Sequence, residues 1–183
     1  MKVRTLLCVC ALLFSLTVAA QFQPERYPKR EFRAAWIQAV NGQFRGIPTE
    51  KLKQTLISQL NSLQEAGINA IIFQVRPEAD ALYASQLEPW SRFLTGRQGT
   101  PPSPYWDPLQ WMIDECHRRG MELHAWIVTM PVGKWDGLGC KQLRKKMQRN
   151  IIKIKGYGYM NPETQQTADY LARICAEVTR RYD

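Results

Sequence analysis

The chain has 183 residues and a mass of 21.2 kDa, with 45% hydrophobic and 22% charged residues and no low-complexity tract. That is room for one folded domain, and it excludes a disordered chain. The formal charge of +9 reads as a solvated basic surface with weak attraction for anionic envelope polymers, and nucleic acid is not an expected partner.

In chain order, residues 1–20 have the pattern of a secretory signal. Lys2 and Arg4 precede an apolar run over 6–18, with small residues at Val18 and Ala20 before the expected cut. The run is too short for a comfortable membrane span, so the expectation is export to the periplasm or beyond, without stable membrane insertion after cleavage. Removing 20 residues leaves 163, with 23 basic and 16 acidic side chains and a net charge of +7. Of the five cysteines, Cys116, Cys140 and Cys175 remain, an odd and widely spaced set that makes no disulfide framework. Cys116 and Cys175 are expected to be buried on helix faces. With two histidines, no C-x-x-C and no H-E-x-x-H, neither a metal site nor a cofactor is expected.

After a polar lead-in over 21–30, residues 32–38 have the apolar density of a buried strand. Asn41, Gly42, Gly46 and Pro48 mark a loop. Thr49 is the expected N-cap of a helix over 49–66, with Leu52, Leu56, Leu60 and Leu63 on one face and Gly67 just past its end. Residues 68–75 read as a second strand. The connection over 76–103 is rich in Pro, Gly and aromatics and is a candidate binding loop or lid. Asp107 and Pro108 then open a helix with Leu109, Met112, Ile113 and Cys116 on its stripe; Gly120 closes it, and 121–127 is a third strand. Beyond Pro131 come a loop with Gly133, Gly137 and Gly139 and a basic helix over 141–150. Its Lys141, Arg144, Lys145, Lys146 and Arg149 form a solvated face. Asn161 and Pro162 open the last helix, striped by Leu171, Ile174, Cys175 and Val178. The pattern then calls for a fourth strand, and the chain is expected to be truncated before it.

Strands alternating with helices across long crossovers imply a parallel sheet, hence an α/β fold. The alternatives are a partial (β/α)8 TIM barrel of three to four βα units and a small doubly wound sheet; residues 41–46 lack the Gly-rich phosphate turn that would favour the second. Alternation along the strands sends Ile71, Phe73, Val75, Leu123, Ala125 and Ile127 under the helices. The opposite set, Ala34, Trp36, Gln38, Ala70, Ile72, Gln74, Arg76, Glu122, His124 and Trp126, turns inward. Polar and aromatic groups thus gather at the carboxyl ends, where α/β barrels hold their sites. A lone inward histidine such as His124 reads first as a hydrogen-bonded core residue and only second as a catalyst. Arg76 reads equally as a structural ion pair with Glu78 or Asp80. Trp90, Trp106 and Trp135 fall in loops, where flat rings serve as stacking platforms for sugars. The carboxylates near strand ends, Glu78, Asp80, Glu88 and Asp136, all lie in loops, and none ends a strand facing inward.

Several linked motifs carry a resemblance: Glu31-Phe-Arg-Ala-Ala-Trp-Ile37; Gly67-Ile-Asn-Ala-Ile-Ile-Phe-Gln-Val-Arg-Pro-Glu-Ala-Asp-Ala-Leu-Tyr83; Glu88-Pro-Trp-Ser91 with Leu94-Thr-Gly96; and Trp106-Asp-Pro-Leu109 with His117-Arg-Arg-Gly-Met-Glu-Leu-His-Ala-Trp126. In this order they resemble the glycosyl hydrolase-like 10 family, bacterial exported proteins formerly grouped as a domain of unknown function. The resemblance runs from about residue 30 to the end. It implies a TIM-barrel domain acting on O-glycosyl bonds of an envelope or other polysaccharide. It further implies that Arg181-Tyr-Asp183 leads into a fourth strand carrying an aspartate, so that the main catalytic acids lie downstream. The residues expected to line the substrate cleft are Gln74, Arg76, Asp80, Trp90, His124, Trp126 and Asn161, with Asp80 the candidate catalytic carboxylate in this portion. Two other readings stay open: a non-catalytic carbohydrate-binding module using Trp90, Trp106 and Trp126, and a small complete enzyme with Asp80 and Glu88 as its acid pair.

Overall fold

The computed structural model describes residues 31–40 and 42–182. The expected signal at 1–20, the lead-in at 21–30 and Asp183 lie outside the described residues. The chain divides into two units, Met1–Phe32 and Arg33–Asp183, and every element named here belongs to the second.

Three parallel strands, β1 (Ala34–Ile37), β2 (Ala70–Arg76) and β3 (Glu122–Ile127), form one sheet in the order β1-β2-β3. Trp36 stands opposite Ile72, and Ile72 opposite His124. Between β1 and β2 runs α1 (Thr49–Glu65); between β2 and β3 run the one-turn α2 (Arg92–Thr95) and α3 (Pro108–Arg118). Parallel neighbours require such crossovers, and as a result all three strands end on the same side. This is the βαβαβ order of a partial (β/α)8 barrel.

The helices cover one face of the sheet by simple periodicity. Leu52, Leu56 and Leu60 of α1 are at most 2% exposed and share a core with Ile71, Phe73 and Val75 of β2. From α3, Leu109, Met112, Ile113 and Cys116 join the same core, and burial pushes the Cys116 thiol up to about 12. Asp107 caps α3, its side chain accepting from the N–H groups of Leu109 (3.0 Å) and Gln110 (3.2 Å), with Pro108 in the first turn. Thr49 does not cap α1: Pro48 holds that position, and Thr49 is already helical. The connection over 76–103 is not an open lid, because Ala79, Ala81, Leu82 and Tyr83 are at most 1% exposed and Ala81 bridges to Trp90.

The region beyond β3 departs most from the expectation. In place of a glycine loop, β4 (Pro131–Lys134) leads to α4 (Leu138–Met147) and then to a hairpin of β5 (Ile151–Ile154) and β6 (Tyr157–Met160). These strands form a second sheet, antiparallel, in the order β4-β6-β5. The hairpin turns on Lys155 and Gly156, with φ of 46° and 83°, the paired left-handed conformations of a two-residue turn. Val132, Cys140, Leu143, Met147, Ile151 and Met160 pack with Tyr170 and Ile174 of α5 (Gln165–Arg181) in a second core. Helix α5 starts at Gln165, not at Asn161, because Thr164 supplies the cap by accepting from the Thr167 N–H. Its buried stripe is Thr167, Tyr170, Ile174 and Val178, which leaves Cys175, one position round from Ile174, exposed. Among the described residues no helix is long and apolar enough to cross a membrane.

Replacing the fully buried Leu60 by alanine is expected to cost about 3 kcal/mol, the usual range for emptying a packed leucine site. Urea denaturation measures it; a loss below about 1 kcal/mol would show that the α1–β2 contact is not a packed core.

Candidate functional site

Side chains alternate on each parallel strand as the sequence predicts. The set away from the helices presents Trp36, 63% exposed, with Trp126 edge-on to it at 4.8 Å between ring centroids. Beside them His124 Nε2 lies 3.2 Å from the Glu122 carboxylate, and Gln38 is exposed at the end of β1. Rings, an imidazole and an amide thus share one accessible face of the sheet, while the opposite face is covered by helices.

Three residues expected to line the cleft are instead internal. Gln74 is 3% exposed, and its Oε1 accepts from the backbone N–H groups of Ala39 (2.9 Å) and Val40 (3.3 Å), pinning the loop after β1 to β2. Arg76 is fully buried. Its partner is neither Glu78 nor Asp80 but Glu88: Nε donates to Oε2 at 2.8 Å and Nη2 to Oε1 at 2.7 Å. Nη1 donates to the carbonyls of Val128 and Thr129 just past β3. Tyr170 of α5 donates to Glu88 Oε1 at 3.0 Å. Burial opposes the charge on Arg76, and the Glu88 carboxylate outweighs it, leaving the guanidinium firmly protonated. With its donors engaged and no surface, Arg76 serves as structure. Glu78 pairs with Arg92 at 2.9 Å.

Asp80 is also fully buried. Its Oδ2 accepts from Gln98 Nε2 at 2.8 Å and from the Arg92 N–H at 3.4 Å, while Oδ1 has no hydrogen-bond partner among the described residues. Burial, and then the neighbouring Glu78 charge, push the carboxyl up to about 6, with Gln98 and Ser91 pulling the other way. Asp80 and Glu88, 0% and 7% exposed, are sealed from solvent and from any sugar in this conformation. Gln98, which holds Asp80 on one side and accepts from the Gly139 N–H at 2.9 Å on the other, links this acid to the start of α4.

The loop tryptophans divide. Trp90 is partly exposed and meets the exposed Tyr105 edge-on. Trp106 is 8% exposed, packed on Trp111 beneath Lys53, and so is core rather than a platform. Trp135 lies under the Arg144 guanidinium, 4.0 Å from the ring centre, so Arg144 is a ring cover and not part of a freely solvated face. Asn161 stands apart from the strand ends in sequence and bonding, its side chain accepting from the Glu163 N–H in a turn. A groove of about 630 Å³ between β1 and α1, lined by Trp36, Gln38, Gln43, Ser58 and Gln59, runs along the edge of the sheet. Among the described residues no group of three or more His, Cys, Asp or Glu could hold a metal ion.

The sequence reading did not find Glu88 as the partner of Arg76, Tyr170 and Gln98 as supports, or the hairpin at 151–160. Only the hairpin left a signal: a Lys-Gly turn between Ile154 and Tyr157, flanked by β-branched and aromatic residues.

Glu88→Gln leaves a buried, uncompensated guanidinium, so a stability loss of about 3–5 kcal/mol is expected, and the double change Arg76→Met, Glu88→Leu should cost less than Glu88→Gln alone. Denaturant titration of the three proteins decides it; a single-variant loss under about 1 kcal/mol contradicts the pairing. For Asp80 the carboxyl sits near 3.8 in its reference state and near 6 in the fold. Between those values the native state holds more protons than the unfolded one, so stability falls as pH rises from ~4 to ~6 and stays low above. Asp80→Asn should therefore gain on the order of 2–3 kcal/mol over wild type at pH ~7.5 and nothing at pH ~3.5. A difference between the two proteins that does not vary with pH would contradict this.

Known proteins supply the remaining comparison. The family model described as "Glycosyl hydrolase-like 10" matches residues 31–183. The chain is 32% identical over 183 residues to glycosyl hydrolase YngK of Bacillus subtilis, covering 96% of this chain and 36% of that protein. It is 35% identical over 150 residues to glycosyl hydrolase DigH of Escherichia coli, covering 74% and 34%. The chain thus spans about a third of the length of these curated relatives. A maltogenic alpha-amylase, AmyB of Thermotoga neapolitana, superposes with a TM-score of 0.53 over 82% of this chain and 36% of that one at 10% identity, a likeness of fold alone. The matched residues take in all three parallel strands and the buried Arg76–Glu88 connection between them, and on that evidence the chain belongs to the glycosyl hydrolase-like 10 family.

Proposed function

We propose that this chain contributes three βα units of a barrel glycoside hydrolase that acts on O-glycosyl bonds of an envelope or other polysaccharide, supplying a sugar platform and not the main acid pair. The observation that carries the reading is the open face of the parallel sheet, where Trp36, Trp126 and His124 lie along the strands next to the buried, hydrogen-bonded Gln74 and Arg76. Flat apolar rings suit the C–H faces of sugars, and a rigid support limits the entropy lost when a sugar settles on them. Glycosidic hydrolysis needs two carboxyl groups that reach the bond, one of them protonated. Asp80 keeps its proton up to about pH 6, but it is enclosed, and both oxygens of Glu88 are engaged by Arg76. The acids of the reaction are therefore assigned to other strands of the barrel, and Asp80 to positioning of the loop after β2. Export to the periplasm or outside the cell belongs to the same proposal, supported by the signal-like pattern of residues 1–20.

The enclosure of both Asp80 and Glu88 also favours a second reading, a carbohydrate-binding module. Both readings require glycan affinity and differ in turnover. The full chain is incubated with insoluble cell-wall glycan, and co-sedimentation and released reducing ends are followed. Wild type is expected to co-sediment, and Trp126→Ala to weaken the dissociation constant about tenfold. Asp80→Asn should leave any release of reducing ends unchanged. Loss of release in Asp80→Asn would make Asp80 a catalytic acid and overturn the assignment; binding without release by the whole protein would favour the module.

A further inference from the structure

We infer that the groove where residues 86–89 meet α4 and α5 is a docking site for an acidic peptide segment of a partner protein. A cavity of about 560 Å³ lies between this loop and α5. Leu87, Ala172 and Ala176 give it apolar surface, and Arg173, Arg180 and Arg181 give it three guanidinium groups. Two adjacent i, i+4 rows of the helix supply them, Ala172, Ala176 and Arg180 in one and Arg173, Glu177 and Arg181 in the other. The buried stripe of Thr167, Tyr170, Ile174 and Val178 leaves both rows outside the core. A second cavity, of about 420 Å³, adjoins the first across Gln86 and Leu87, which line both, and adds Gln142, Lys145 and Lys146 of α4. Two of the cations are already held in place. Lys146 Nζ donates to the Leu87 carbonyl at 3.3 Å. Arg181 donates to the Ala84 carbonyl, with its guanidinium 5.9 Å and 5.3 Å from the ring centres of Tyr83 and Tyr182. A ligand that meets fixed charges loses less entropy on binding.

Charge and shape select the occupant. The two cavities are lined by five cations and two carboxylates, and both carboxylates are committed elsewhere. Glu88 is bonded at both oxygens by Arg76. Glu177 accepts from Tyr83, Ser85 and Gln86 and reaches Arg181 only at 4.0 Å. Guanidinium and ammonium groups donate and never accept, so the occupant must be anionic. The planar fork of arginine fits a carboxylate at two points. Arg173 and Arg180 lie about two helical turns apart, roughly 10 Å along the axis, a span that about three residues of extended chain cover. Acids at every third position, with an apolar residue between them, match both the charges and the surface of Leu87 and the alanines. Other anionic occupants fit less well. Neither lining contains an aromatic ring, so an acidic sugar has nothing to stack on. None of the exposed large hydrophobic side chains among the described residues lies in either lining, so nothing here is placed to enter a bilayer.

Fluorescence anisotropy of the full chain with a fluorescein-labelled peptide of repeating Glu-Val-Ser units tests the site, with polygalacturonate and phosphatidylglycerol vesicles as competitors. Wild type should bind the peptide, less tightly as salt rises from ~0.05 to ~0.5 M, and should bind a Gln-Val-Ser repeat about tenfold more weakly. Arg173→Gln with Arg180→Gln should weaken binding about tenfold with the thermal melt unchanged. Ala172→Trp, which fills the cavity and leaves its charge, should do the same, whereas Trp126→Ala should bind as wild type does. Hydrogen exchange with the peptide present should protect residues 84–88 and 172–181. No binding by wild type, equal binding by the two α5 variants, or protection confined to other residues would each overturn the proposal. So would tighter binding of the polyuronate or the vesicles than of the peptide. Loss of the peptide in Trp126→Ala would place it on the open sheet face and reject the groove.

Discussion

The buried pair of Arg76 and Glu88 is the constraint on which the strand ends depend. A guanidinium with no exposed surface must be neutralised where it stands, because the effective cost of desolvating an ion is several kcal/mol. Glu88 meets that demand with a two-point contact, but it lies twelve residues downstream, so the chain between them has to fold back over the end of β2. Two carbonyls after β3 and the hydroxyl of Tyr170 complete the polar shell. One side chain thereby ties β2 to the exit of β3, and through Glu88 to α5. The ends of the strands cannot shift independently without exposing an unpaired charge to an apolar interior.

A second node enlarges this effect. Glu177 of α5 accepts from the Tyr83 hydroxyl (3.1 Å), the Ser85 hydroxyl (2.6 Å) and the Gln86 N–H (2.6 Å). Burial, with Glu177 and Glu88 nearby, holds the Tyr83 hydroxyl protonated far above its ordinary range. Helix α5 therefore clasps the connection after β2 at two places, through Tyr170 at Glu88 and through Glu177 at Tyr83, Ser85 and Gln86. A segment whose length and proline content suggested mobility is in fact stitched down by the Glu177 carboxylate and the Tyr170 hydroxyl, which arrive from about eighty to ninety residues later in the chain.

That distance explains what the sequence revealed and what it hid. The βαβαβ order was legible because it is written locally: leucines at helical spacing over 52–60, a glycine, then an apolar run, twice over. The Asp107–Pro108 start of α3 was legible for the same reason. Arg76 offered no such clue to its partner, since Glu78, Asp80 and Glu88 are indistinguishable by spacing and only the fold-back of the loop selects among them. Trp106 sat between loop residues in the sequence, yet its burial is decided by Trp111 one helical turn on and by Lys53 from another element. The hairpin at 151–160 was obscured by its charge, because lysines alternating with isoleucines read as a solvated stretch until a second strand and α4 give the other face something to cover. Cys175 failed differently: a stripe drawn by apolar type alone took in a neighbour that lies about a quarter of a turn from the true one.

How firmly the insertion is seated determines what can bind beside it. At Gly139 a Cβ would fall 2.2 Å from the Ala79 carbonyl oxygen, and at Gly133 2.6 Å from Glu78 Oε2, so α4 and β4 touch the loop after β2 at backbone distance. Gln98 bridges the same gap, donating to Asp80 and accepting from Gly139. The enclosed Asp80 thus has a structural consequence: its contact with Gln98 helps fix where α4 begins, and with it the hairpin that packs on α4. A polymer binding across several sites gains affinity only when those sites hold a constant spacing, since each movable element must be ordered again at a cost in entropy. Here the exit of β3 and the insertion are both anchored to the loop after β2, one through Arg76 and Glu88, the other through glycine contacts and Gln98. Their separation is set by the fold before any ligand arrives.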